Sequence, residues 1–239
     1  MEPADRPPSW LADSLRAHAL QFETPVAQAY GNAAGTRMLW AFLAVGIGAV
    51  LAARLLFHAA GPRGSPAANL AFVLALLAAF VAVQRKFIAI PFSQVGLRRY
   101  PDWTRRERRY FLQVIPLAAV AFAVVFRAHL EALRELHGLA GFLVFSILTG
   151  LIWGMVQEFI YRGWLQTELT RRFGAVAGVL GANAVFTFGP LHFAGAGAVD
   201  WSVLVAVFGI GIFFGIVYHR SGNLWIPALM HGLWPPNMT

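Results

Sequence analysis

Apolar runs approaching the ~20 residues needed to cross a bilayer recur along this chain, and they constrain its fold more than any other feature. They lie at about 38–59, 67–84, 110–126, 139 onward, 175–192 and 201–218, with a shorter last span at 224–234. Inside hydrocarbon every backbone amide and carbonyl must be satisfied within its own segment or in a closed barrel. Runs of this length without strand-type alternation therefore predict an all-α, polytopic transmembrane helical bundle of about seven spans. Composition agrees: 58% of the 239 residues are hydrophobic and 13% charged, where a soluble domain carries roughly 25% charged residues. The mean hydropathy is +0.61.

The polar segments order these spans. Residues 1–36 form a polar, proline-containing lead-in without the apolar core of a cleavable signal, and Trp10, Leu11, Leu15 and Leu20 would suit a short helix lying on the membrane surface. Residues 37–137 hold the first three spans and the most basic loop, 85–109, where Arg85, Lys86, Arg98, Arg99, Arg105, Arg106, Arg108 and Arg109 face only Asp102 and Glu107. Basic residues at 85–109, 171–172 and 220 fall in alternate loops. The positive-inside rule then puts the N-terminus in the cytoplasm, as expected of a protein of a bacterial inner membrane. It also accounts for the net charge of +8 without nucleic acid; the expected partner of these arginines is the lipid bilayer. The chain has no cysteine, which excludes disulfides, thiolate metal sites and a cysteine nucleophile. Gly174 reads as a helix stop, and Gly209, Gly211 and Gly215 as small surfaces for close helix packing.

Charge inside an apolar span is costly and points to function. In Gln157-Glu158-Phe159-Ile160-Tyr161-Arg162, Glu158 and Arg162 are four apart and share a helix face. They make either a structural ion pair or a carboxylate tuned for water activation. His192, in Phe188-Gly189-Pro190-Leu191-His192, and His231, in Leu229-Met230-His231-Gly232, lie on two further spans. A Glu/Arg pair with two histidines supplies a base, an orienting group and donors for an oxyanion, as peptide hydrolysis requires. Glu158, His192 and His231 could also form a two-histidine, one-carboxylate metal set, although the tight His-x-x-x-His spacing of zinc proteases is absent. A small transporter with a Glu/His proton relay ranks last, because no inverted repeat is visible.

These motifs resemble the CPBP family of intramembrane endopeptidases, which includes the CAAX prenyl endopeptidases and the Abi proteins. The family pattern is Glu-Glu-x-x-x-Arg, Phe-x-x-x-His and His-x-x-x-Asn/Asp. Here it reads Gln157-Glu158-x-x-x-Arg162, Phe188-x-x-x-His192 and His231, preceded by Ser221-Gly222-Asn223-Leu224-Trp225. The resemblance makes residues 138–239 the catalytic core. It implies a metal-free hydrolase acting on a membrane-anchored or C-terminally processed protein, with no cofactor. Glu158 and His192 would activate water, His231 would stabilise the oxyanion, and Arg162 would hold the carboxylate. The pattern is departed from twice. Gln157 stands where the first Glu is expected, and an amide is no base near neutral pH. Pro235 stands where Asn or Asp is expected, with Asn237 two residues beyond as a possible auxiliary. A helix separates Glu158 from position 157 by about 100°. Three readings stay open: Glu158 serves as the catalytic carboxylate in a locally altered helix, the chain is an inactive relative that binds, or Gln157 is an engineered change. The span from Arg171-Arg172 to His192, about 30 Å long, would place the cavity nearer the outer side.

Overall fold

The computed structural model describes residues 30–48, 51, 66–189 and 201–233, and among them every regular element is helical. Helix α1 (Asn32–Ala41) runs on as π-helix through Phe42–Ile47, and α2 (Pro66–Val83) runs on through Gln84–Ile88. Next come α3 (Arg105–Val125) and α4 (Arg127–Phe142). After a π segment, Leu143–Leu148, the chain continues as α5 (Thr149–Glu158), a second π segment (Phe159–Gln166) and α6 (Thr167–Phe173). Helices α7 (Ala175–Phe188), α8 (Trp201–Ser221) and α9 (Trp225–Gly232) complete it.

Three stretches, Ala67–Ile88, Arg105–Val125 and Leu204–Ser221, are long and apolar enough to cross a membrane, and α7 is a shorter apolar helix. The chain is an integral membrane helical bundle. The remaining expected spans differ in kind. The expected last one, 224–234, holds an eight-residue helix of about 12 Å, well short of a ~30 Å hydrocarbon core. The charged stretch 127–137 is itself helical, and the chain changes direction at Gly138, whose φ of 66° lies where only glycine is unstrained. Gly174, with φ 86°, ends α6 as expected. The lead-in helix expected before residue 29 lies outside the described residues.

The basic segments meet at one end of the bundle, as the alternation of charge in the sequence implies. Arg37 Nη2 donates to the Ile88 carbonyl at 2.9 Å, and Arg98 Nη1 reaches Glu107 at 2.9 Å and the Ser221 carbonyl at 3.4 Å. Arg171 donates to Asn32 at 2.9 Å and Arg172 to Thr36 at 3.2 Å. Thr104 starts α3 with a reciprocal capping box: its hydroxyl accepts from the Glu107 amide, and Glu107 accepts from the Thr104 amide.

The α5–π–α6 rod is the axis of the bundle. Gly154 through Glu168 are all buried, the polar Gln157, Glu158, Arg162, Gln166, Thr167 and Glu168 included. Phe42, Phe80, Phe159, Tyr161, Trp164 and Tyr218 fill the core around it. On one side the contact is backbone against backbone: a Cβ at Gly154 would lie 2.6 Å from Gly232 Cα, and one at Gly232 would lie 2.6 Å from Leu151 Cα. Small residues allow this approach, and it sets α9, with His231, directly against α5. On another side Gly211 and Gly215 of α8 face the rod, against Asn183, Arg162 and Gln166. Gly209, expected to share that role, has no atom within 4 Å of a would-be Cβ; at two residues from Gly211 it sits on a different face of the helix.

Candidate active site

Helix α5 is regular as far as Glu158, and the widened π winding begins one residue later. The helix is thus locally altered at the motif, but after Glu158. Gln157 and Glu158 keep their α-helical separation, and the alteration acts on Arg162. In the π segment the Thr167 amide returns to the Arg162 carbonyl, five residues back. The Thr167 hydroxyl donates to that same carbonyl at 2.9 Å and lies 2.8 Å from the Tyr218 hydroxyl. Such π segments are frequent at functional sites.

Arg162 Nε lies 3.2 Å from Glu158 Oε2, with both side chains at most 1% exposed. The guanidinium also donates through Nη2 to the Gly211 carbonyl at 3.0 Å and lies 5.5 Å above the Phe186 ring. One helical step on, Gln166 donates to the Gly215 carbonyl at 2.8 Å. The rod thus grips two glycine carbonyls of α8 from two positions on one face, and no side chain at either glycine stands between. Asn183 of α7, fully buried, donates to the Phe208 carbonyl at 2.8 Å and packs its Oδ1 against Gly211.

The other oxygen of Glu158 goes to α9. Its Oε1 lies 2.8 Å from His231 Nδ1. The imidazole is held between Phe186, perpendicular at 5.7 Å, and Phe214 at 5.8 Å, and it is 17% exposed. A carboxylate with an arginine on one oxygen and a histidine on the other, drawn from two helices, is a Glu–His dyad with a fixed counter-charge. Such an arrangement can select an imidazole tautomer and set its basicity.

Of the residues expected from the sequence, Glu158, Arg162 and His231 come together. Gln157 is adjacent and 8% exposed, and its side chain makes no hydrogen bond to another described residue. His192, Pro235 and Asn237 lie outside the described residues, as does the third member of the metal set Glu158, His192 and His231. Among the described residues no three His, Cys, Asp or Glu side chains come together. Asn183, Gln166, Phe186 and Gly211 were not singled out as site residues. Of these only Gly211, read as a packing glycine, carried a sequence signal.

The Glu–Arg–His cluster lies within the stretch that can be placed among known proteins, since a family model described as "Type II CAAX prenyl endopeptidase Rce1-like" matches residues 139–235. This stretch is similar to an Rce1-like domain. The matched stretch contains every member of the cluster, and His192 as well. It begins just after the turn at Gly138 and takes in all of the α5–π–α6 rod. No curated protein and no solved structure matches the chain.

Proposed function

We propose that the Rce1-like domain is an intramembrane endopeptidase. It hydrolyses a peptide bond near the C-terminal end or membrane anchor of a protein substrate, with His231 as proton carrier and Glu158 as its partner. The observation that carries this reading is the 2.8 Å contact between Glu158 Oε1 and His231 Nδ1 beside the buried Arg162. With Nδ1–H donated to the carboxylate, Nε2 is the free base. It takes a proton from water while the hydroxide oxygen bonds to the scissile carbonyl carbon. It then returns that proton to the departing amide nitrogen as the C–N bond breaks. Arg162 places a fixed positive charge beside Glu158, and the carboxylate in turn balances the imidazolium formed in between. This moves His231 from oxyanion donor to base, and leaves His192 as the candidate donor to the oxyanion. Glu158 Oε1 is taken by His231, and Oε2 lies 3.2 Å from the Arg162 guanidinium nitrogen Nε in an ion pair. The fixed positive charge of Arg162 beside the carboxylate disfavours a divalent cation there.

One observation favours a second reading, an inactive relative that binds a membrane-anchored partner: Gln157 carries an amide where the family pattern has a carboxylate. Cleavage of a prenylated C-terminal CAAX peptide and of a lipid-anchored protein, in proteoliposomes, separates the two. The peptidase reading expects turnover by the wild type and a loss of about 10²–10⁴-fold in Glu158→Gln and His231→Ala. An inert wild type together with an active Gln157→Glu variant establishes the binding reading. Full activity in Glu158→Gln overturns the dyad.

A further inference from the structure

We infer that the exposed arginine face of residues 85–109 is a binding surface for anionic phospholipid headgroups. The loop joins two stretches that can cross a membrane, Ala67–Ile88 and Arg105–Val125, so it lies at headgroup level. The segment holds eight basic and two acidic residues, and the fold removes one of those acids from the surface. Glu107 is fully buried, bound to Arg98 at 2.9 Å, to the Thr104 amide at 2.7 Å and to Asn223 at 3.4 Å. Of the basic residues Arg98 is the one spent on it, with its side chain 16% exposed. Outside, Arg85, Lys86, Arg99, Arg105 and Arg109 are exposed, against a single exposed acid, Asp102, which lies 3.8 Å from an Arg99 side chain that is itself 89% exposed. Two exposed aromatics, Phe87 at 48% and Tyr100 at 54%, stand among these cations, and tyrosine is a residue type that settles at a bilayer interface. Buried acid, outward cations and interfacial rings together fit a negatively charged lipid surface.

The surface is also tied to the helix that carries His231. The Leu224 amide donates to the Gly96 carbonyl at 2.9 Å, and Trp225 Nε1 to the Arg98 carbonyl at 3.0 Å. Lipid bound at the loop therefore lies on the mounting of α9.

The test is native mass spectrometry of the full chain in detergent, with phosphatidylglycerol or phosphatidylcholine added at equal concentration. Phosphatidylglycerol is expected to be retained in preference, and the preference to fall as salt is raised. Each arginine near a membrane surface contributes about fivefold in affinity, so Arg99→Gln/Arg105→Gln/Arg109→Gln is expected to lose most of the preference. Arg127→Gln/Arg134→Gln, beyond the far end of α3, is expected to keep it. Equal retention of the two lipids by the wild type, or an unchanged preference in the triple variant, overturns the proposal. So does release of phosphatidylglycerol by inorganic phosphate at matched concentration, which would make this a site for free anions. The readout involves no cleavage and stands whether or not the domain turns over.

Discussion

The α5–π–α6 rod carries the same sequence device twice. Glu158 and Arg162 are four apart, and so are Glu168 and Arg172, ten residues further on. The second copy is a saturated knot. Glu168 is fully buried and accepts from Arg171 at 2.8 and 2.7 Å, from Arg172, and from Tyr30 at 3.1 Å. Its arginines continue to Asn32 and Thr36, so the carboxylate ties α1 to α6. The first copy is not saturated. Among the described residues Arg162 leaves Nε and Nη1, and Glu158 its Oε2, buried without a hydrogen bond, and the hydrogen-bond partner of Glu158 is a ring from another helix. One spacing makes a clasp in one place and a candidate catalytic centre in the other. What separates them is the chemistry of the partners.

That contrast can be broken or sharpened by mutation. The largest effect is expected for Arg162→Ala, which strands a buried carboxylate and should cost about 3–5 kcal/mol, read as thermal unfolding in detergent. Glu168→Gln should cost about 1.5–3 kcal/mol, and its effect should depend on pH. Burial pushes the Glu168 carboxyl up, but hydrogen bonds from Arg171 and Arg172 outweigh it and hold the group below its ordinary value of 4.5. A carboxyl lowered in the folded state contributes stability that is fully present above the unfolded value and lost as pH falls through the folded one. The gap in Tm between wild type and Glu168→Gln should therefore be constant near neutral pH and close below about pH 4. A gap that widens in acid would contradict the clasp. Gly211→Ala places a methyl group against Asn183 Oδ1 and should cost about 1–3 kcal/mol through forced repacking. It should also lower any activity, because Arg162 rests on that glycine. Arg172→Ala is expected to be smallest, about 1 kcal/mol or less, since Arg171 and Tyr30 remain on Glu168.

Much of this was legible in the sequence. Apolar length gave the helical membrane class, and alternate arginine clusters gave the shared basic end. The cost of charge in an apolar run singled out Glu158 and Arg162, and a glycine after Arg171-Arg172 gave the end of α6. Other features depend on contacts that spacing does not encode. Nothing in Phe159-Ile160-Tyr161-Arg162 announces a π winding, which follows from how Thr167, Tyr218 and the glycines of α8 take up the backbone and side-chain bonds. Glu168 sits beside two arginines and reads as a solvated helix end until Tyr30 and α1 close over it. Gly209 and Gly211 look alike in sequence, and only the face each presents tells them apart. The contact between His231 and Glu158 rests on Gly154 meeting Gly232, a juxtaposition of segments more than seventy residues apart.

The most direct test of the central claim sets the two glutamates side by side in one cleavage assay. Wild type, Glu158→Gln and Glu168→Gln, each confirmed folded in proteoliposomes, are given the same prenylated CAAX peptide. The account expects cleavage by wild type and Glu168→Gln, and a loss of about 10²-fold or more in Glu158→Gln. Equal cleavage by all three proteins would contradict it, because Glu158 and Arg162 would then be a second clasp and the chemistry would lie elsewhere.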